Sequence, residues 1–370
     1  MTVVSLTASK SVLATSLYSI TDLGALTGEA STFAEDINDS GEVIINSFTD
    51  SFFYSNGLIK KISPLPGDNQ LAVTGINNLG QVIGDSLGRN KFNLSYPFLY
   101  SNGITQPLPL QNAIPYAIND RTQIVGDRGQ IVGVESGGPF LYSDGIVTSI
   151  GNPNNVVYGL NNLGQVIGIL SSNTAFLYEN GQTTNLGTLP GDVYSMANDI
   201  NDLGQVVGSS GLTGVSGGHA FLYSSSTGLK NLGRLRPTDL FSVATGINNL
   251  GQVVGYSGTD PNYYAAGGIG MRAFLYSDNT LYDLNDLIAP GSDPGFTLTV
   301  ASAINNNGQI VGGGAVNGEA HAFLLTPISS VSVAEPTSGI SILSFGAIVT
   351  LFAALKHKRH SSSAAIQQAS

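Results

Sequence analysis

An all-β ring of repeated four-stranded units is the fold this sequence predicts. Three observations predict it: a nonapeptide that recurs seven times, an aromatic run with a turn signal after each copy, and a spacing near forty residues. The nonapeptide is clearest at 247–255, INNLGQVVG. Its other copies are INDSGEVII (37–45), INNLGQVIG (76–84), INDRTQIVG (118–126), LNNLGQVIG (160–168), INDLGQVVG (200–208) and INNNGQIVG (304–312). The Asn in second place falls at 38, 77, 119, 161, 201, 248 and 305, so successive copies stand 39, 42, 42, 40, 47 and 57 residues apart.

Each nonapeptide reads as a turn between two strands. Asn, then Asn or Asp, then a variable residue and Gly supply the positions that tolerate turn and left-handed dihedrals. The Val/Ile pair that follows is strand-forming, and apolar at consecutive positions because it is buried. Two copies depart from the pattern: Thr122 stands in place of the turn Gly in the third, and Ile45 in place of the closing Gly in the first.

The second element of each unit is SFFYSNG (51–57), PFLYSNG (97–103), PFLYSDG (139–145), AFLYENG (175–181), HAFLYSS (219–225), RAFLYSD (272–278) or HAFLLTP (321–327). An apolar run closed by Asn-Gly or Asp-Gly is a strong hairpin signal, so a return strand follows, as in TNLGTL (184–189) and KNLGRL (230–235). Four short strands per unit and no helical periodicity make each unit a propeller blade. The last unit ends without a return strand, while the chain opens with one, YSITDLGAL (18–26). Residues 19–24 are therefore expected beside Ala322–Thr326, closing a seven-bladed β-propeller over 17–327. An open solenoid would lack that complementarity.

Composition agrees with a turn-rich β protein: 47 Gly, 11% charged residues and 42% hydrophobic ones among 370. A net charge of −11 argues against a nucleic-acid partner, which wants a basic footprint. No cysteine is present, which removes disulfides and thiol chemistry.

Outside the repeats, 1–16 (MTVVSLTASKSVLATS) is an ambiguous segment whose apolar run is broken by Ser and Thr, a weak or truncated signal. A fuller leader upstream is the expectation. Residues 328–337 form a polar linker. Ser338–Leu355 then carries no charged side chain over 18 positions, and KHKRH follows at 356–360. Eighteen residues at about 1.5 Å each just cross a bilayer core of about 30 Å. The domain plan thus ends with a single hydrophobic transmembrane helix within 338–360 and a polar tail at 361–370. Basic residues stay on the cytoplasmic side, so the C-terminus faces the cytoplasm and the repeats face outward.

The AFLYS, LG and IN-x-x-GQVVG units together resemble the HAF-repeat family over nearly all of 18–325. The tail resembles a bacterial PEP-CTERM sorting signal through Glu335, Pro336, the apolar stretch and Lys356, Lys358 and Arg359; Ala334 stands in the first place of the tripeptide. These resemblances imply export, retention in the membrane and recognition by an exosortase-type sorting enzyme. They imply no enzymatic activity.

No catalytic constellation emerges from the residues. His219 and His321 hold the same place in two repeats and read as structural; His357 and His360 belong to the basic tail. Two scattered His without Cys make no zinc set. The Asn/Asp pairs read as turn chemistry rather than as calcium ligands, which would need six to eight oxygens. No cofactor is expected. GVSGGH (214–219) lacks the Lys and the helix of a phosphate loop, and no nucleophile-elbow pattern appears. Insertions fall at Asp127–Val134, Gly258–Met271 and Asp283–Thr299. Within the second, Asp260, Asn262, Tyr263 and Tyr264 are the candidate ligand-binding residues, because ring faces beside polar groups suit sugars. The expected function is a non-catalytic, exported cell-surface or matrix protein that binds or is displayed within exopolysaccharide. The alternative is a propeller glycosidase or polysaccharide lyase, which would bring acidic or His side chains together at one channel mouth.

Overall fold

The computed structural model describes residues 17–88, 95–110, 112–128, 137–212, 218–259, 270–292 and 295–328. Within them, seven four-stranded antiparallel sheets follow one another in chain order as the blades of a β-propeller. Blades 1 to 6 occupy 32–61, 68–107, 113–149, 156–187, 194–233 and 241–283, and each is a meander whose innermost strand comes first. Blade 7 takes its three inner strands from 296–328 and its outermost from Leu17–Asp22.

That last pairing is the closure expected from the two chain ends, with a shifted boundary. Leu17 lies opposite Ile328 and Asp22 opposite Phe323, so the strand is Leu17–Asp22 rather than 19–24. Beyond it, Leu23–Thr27 forms one short helix, capped by the Asp22 carboxylate on the Ala25 amide and ended by Gly28 at φ 74°. Leu284–Leu287 forms a short 3-10 helix. The repeat units were expected without helical periodicity; these two short helices follow the closing strand and the last strand of blade 6. Asp22 explains the early stop: it caps the helix while accepting His321 Nδ1 at 3.0 Å, and a side chain at Gly24 would strike the His321 ring.

The nonapeptide builds the inner half of every blade. It carries the end of the first strand, a tight turn, and the start of the second strand. Turn glycines 41, 80, 164, 204, 251 and 308 all adopt positive φ, and Thr122 holds the same conformation at φ 58° in blade 3. Each innermost strand also carries a bulge one turn before the nonapeptide, between Ala34 and Asp36, Val73 and Gly75, Pro115 and Ala117, Val157 and Gly159, Ala197 and Asp199, Ala244 and Gly246, and Ala301 and Ala303. A bulge sharpens local twist, which the inner edge of a blade requires.

Blades stack through their aromatic third strands. Phe98, Phe140, Phe176, Phe221, Phe274 and Phe323 are fully buried, each across from the glycine that closes the nonapeptide of its own blade. Those glycines leave no room for a Cβ: at Gly255 it would run into the Val243 carbonyl oxygen and approach the Phe274 ring at 2.8 Å. In blade 1 Ile45 fills that place, opposite Phe52.

Strand direction divides the ring into two faces. The nonapeptide turns and the hairpins between third and fourth strands lie on one, the turn face. The connections between second and third strands, and between blades, lie on the other, the loop face. Asp260, Asn262, Tyr263 and Tyr264 lie outside the described residues, as do 1–16 and the whole tail with Glu335, Pro336, Lys356, Lys358 and Arg359. Among the described residues no helix is long and apolar enough to cross a membrane.

Candidate functional site

Two hydrogen-bonded rings surround the axis at the turn face. In the inner ring each nonapeptide Asn donates through Nδ2 to the main-chain oxygen of its counterpart in the next blade. The links run Asn38 to Asn77, Asn77 to Asn119, Asn119 to Asn161, Asn161 to Asn201, Asn201 to Asn248, Asn248 to Asn305 and Asn305 back to Asn38, at 2.9–3.0 Å. The same Nδ2 donates to the Glu or Gln four residues on, and Oδ1 accepts two amides of its own turn, as with Leu203 and Gln205 on Asn201. Every hydrogen-bonding site of these buried amides is used, as buried polar groups require.

The next residue makes the second ring. The amides of Asp39, Asn78, Asp120, Asn162, Asp202, Asn249 and Asn306 each donate to the side-chain oxygen of the following one, and Asn306 returns to Asp39, at 2.8–2.9 Å. Turn chemistry was the expected role of these pairs; the structure adds that they stitch the blades together. One signal for this is visible in the sequence. The turn Gly is lost in one copy, whereas the first Asn is present in all seven. The space framed by the two rings is about 160 Å³.

Deeper in the channel, Asp36 and Asp199 occupy the same bulge position in blades 1 and 5, where the other blades carry Gly or Ala. Each carboxylate accepts the amide of the next residue and one from the next blade, Ile37 and Ile76 for Asp36, Ile200 and Ile247 for Asp199. Burial pushes Asp36 up to about 6 and Asp199 up to about 7, against the lowering effect of those amides. Both oxygens of each are occupied by main-chain donors, so these acids act as inter-blade staples. Asp36 also lies near enough to Asp199 for its charge to raise it further.

The loop face offers more space. An open cleft of about 620 Å³ lies where blade 5 runs into blade 6, lined by His219, Asn231, Arg234, Arg236 and Pro237 with main chain between them. Arg236 is held by Asp239 through Nε at 3.0 Å and Nη2 at 2.9 Å, and Asp239 in turn accepts the Ser257 hydroxyl. This motif recurs. Asp68 with Ser86 and Asp192 with Ser210 repeat it, and in each case the serine hydroxyl accepts a main-chain amide from the connection between blades. Sequence reasoning missed it, although LPGD at 65–68 and 189–192 was its signal.

His219, Ser210 and Asp192 lie close together without forming a triad. Ser210 is fully buried and donates directly to Asp192. Burial holds the His219 imidazole below its ordinary value, and neighbouring Arg234 lowers it further against the pull of Asp192. His321 instead anchors the closure through Asp22. Among the described residues no three His, Asp or Glu side chains come together to hold a metal. The Arg236 guanidinium reaches the Gly270 oxygen at 3.4 Å, so the cleft borders one foot of the 258–271 insertion that holds the four candidate residues.

A second concavity of about 370 Å³ opens between blades 3 and 4 beside Asp127, Pro153 and Asn155. Burial pushes Asp127 up to about 6, and its Oδ1 is enclosed with no partner among the described residues. Tyr116 and Tyr158 stand nearby with ring centroids 6.1 Å apart.

The profile of a family of unknown function, DUF3466, matches residues 190–324, blades 5 to 7 without the closing strand. No curated protein matches the chain. Among solved structures, the chain is similar to a B. thetaiotaomicron protein described as the extracellular domain of a hybrid two-component system, BT4673, at 14% identity and TM-score 0.51, covering 83% of this chain and 39% of that one. It is also similar to the corresponding extracellular domain of BT3049 from B. thetaiotaomicron, at 12% identity and TM-score 0.50, covering 86% and 42%. The chain thus spans about two fifths of either, and the likeness is one of propeller architecture.

Proposed function

We propose that this chain is an exported, non-catalytic surface or matrix protein that binds polysaccharide on its loop face, at the cleft between blades 5 and 6. The carrying observation is that His219, Arg234 and Arg236 line the same concavity on a protein of net charge −11. Guanidinium groups present fixed, planar donors that suit vicinal hydroxyls and uronate carboxylates. The insertion with Asp260, Asn262, Tyr263 and Tyr264 has one foot, at Gly270, beside that cleft, and its ring faces would cover sugar C–H groups.

Export and retention rest on the tail, with Glu335 and Pro336 ahead of the uncharged 338–355 and basic Lys356, Lys358 and Arg359 after it. An exosortase-type enzyme is the partner this tail suits. The two solved propellers of similar shape are extracellular domains, which is in keeping with an outward-facing ring.

The reading against catalysis rests on how the acids are used: Asp36, Asp199, Asp192 and Asp239 are each committed to amides, hydroxyls or a guanidinium. The test is affinity electrophoresis through gels containing uronate-bearing or neutral polysaccharide, with a reducing-end assay beside it. Retardation that falls at least tenfold in the His219→Gln, Arg234→Gln variant supports the cleft. New reducing ends would favour the glycosidase reading, and equal mobility in every gel would remove the binding reading.

A further inference from the structure

The turn face carries apolar side chains that its turns do not require. The third residue of the turn is Leu79, Leu163, Leu203 and Leu250 in blades 2, 4, 5 and 6, with exposures of 64%, 58%, 69% and 70%. Blades 1, 3 and 7 have Ser40, Arg121 and Asn307 there, so the turn accepts polar residues. A wider circle on the same face adds Leu58, Ile104 and Ile146, each just past a hairpin turn and more than half exposed. Isolated exposed leucines are ordinary; the same position repeated around one channel mouth is a patterned surface.

The chain also leaves the propeller at this face. Leu17 and Ile328 are paired, both are 42% exposed, and Pro327 packs against the turn glycine Gly308. From Ile328, the nine residues 329–337 span at most about 30 Å before the uncharged stretch 338–355 begins. Cations stand among the aliphatic groups. Arg121 is exposed in the inner circle, Lys60 reaches the hairpin of blade 2 at Gly103, and Lys230 donates to Tyr276 Oη and Asn279 Oδ1. Carboxylates share the face: Asp39, Asp120 and Asp202 accept neighbouring Asn amides within the ring, Glu42 accepts from Asn38 and Glu179 from Gln165, and Asp144 and Asp278 stand exposed in the hairpin turns.

We infer that the turn face lies on a lipid surface, with the circle of leucines at the boundary between headgroups and acyl chains. Buried apolar area contributes to such interfacial binding, and a zwitterionic lipid surface does not repel the carboxylates beside the leucines. The inference rests on the reading that 338–355 enters the membrane, and it orients the protein: the loop face with its cleft points away from the bilayer. The tether keeps the propeller at the surface, so each leucine needs only weak individual partitioning.

The chain has no cysteine, which allows single labels at chosen positions. Leu203→Cys on the turn face, Val193→Cys on the loop face and Gly346→Cys in the tail are each labelled with an environment-sensitive fluorophore. The full chain is then reconstituted in phosphatidylcholine vesicles with and without spin-labelled lipid. Several-fold quenching at 203 and 346, with none at 193, is the expected result. Quenching at 346 alone overturns the docking and leaves the anchoring reading standing. Absence of quenching at 346 removes the anchoring reading and the docking with it. Quenching at 193 equal to that at 203 overturns the orientation. Protection of 203 from aqueous iodide without lipid quenching assigns the face to a second copy of the chain.

Discussion

Asn305 donates its side-chain amide to the main-chain oxygen of Asn38 at 2.9 Å, across 267 residues of sequence. The bond is geometrically the same as the six others in its ring, so the seam between last and first blades is stitched as the rest are. Asn306 and Asp39 repeat the arrangement one residue on, and the pairing of Leu17–Asp22 with the third strand of blade 7 covers the outer edge. The seam is therefore held at its inner and outer radii by different devices.

Breaking one link should cost more than trimming the surface beside it. Asn248→Ala strands the Asn305 oxygen and the Leu250 and Gln252 amides, a loss on the order of 1–3 kcal/mol for buried polar groups. Leu250→Ala, two turn positions away and exposed, should stay within about 0.5 kcal/mol. Urea unfolding midpoints measure both. Equal midpoints would show that the ring contributes nothing to stability.

Two glycines four residues apart should respond in inverse order of substituent size. Gly251 sits at φ 76°, and a Cβ there meets nothing closer than Gln205 Oε1 at 3.7 Å. Valine at that site then carries backbone strain of about 1–3 kcal/mol, and Thr122 shows that a β-branched residue fits the same turn. Gly255 has no such room: even alanine must push apart the paired first strand and the Phe274 ring. Gly255→Ala is expected to lower the melting temperature further than Gly251→Val. The reverse order would refute the steric account.

Acidification toward pH 5 should stabilise the ring. Asp36 and Asp199 hold protons up to about 6 and about 7 when folded, whereas an unfolded Asp releases its proton near about 3.9. Between these limits the native state binds more protons, so stability falls as pH rises from about 4 to about 7. Changing both residues to Ala, the side chain found at that position in blades 3 and 7, should make this slope shallower, leaving the part that Asp127, also pushed up to about 6, contributes. Melting curves from pH 5 to pH 8 give the comparison; a slope unchanged in the double variant assigns it to other groups.

The architecture was legible because repetition averages out local ambiguity. One INNLGQVVG could be any turn, but seven copies with aromatic runs between them admit few folds. The closing strand was legible for the same reason, as a missing piece at one end and a spare at the other. Its boundary was not, because Asp22 serves both as the end of a strand and as a helix cap, a choice settled by His321 nearly 300 residues away. The Asn rings were half legible: the sequence shows the turn each Asn makes, while the bond to the next blade exists only once the blades are arranged radially. The blade 5–6 cleft was not legible, since His219, Arg234 and Arg236 come together through a connection between blades that varies from repeat to repeat.

The pairing of Leu17 with Ile328 has a mechanical consequence. A pull transmitted through the chain beyond Ile328 acts along the axis of its strand, which is flanked by Leu17–Asp22 on one side and Ile310–Val316 on the other. Antiparallel hydrogen bonds run across that axis, so the load falls on both ladders at once in shear and does not peel them bond by bond. Resistance to such a pull is set by the rate of rupture rather than by equilibrium stability. The strand that ends at Ile328 thereby shares such a load along its whole length with two neighbours.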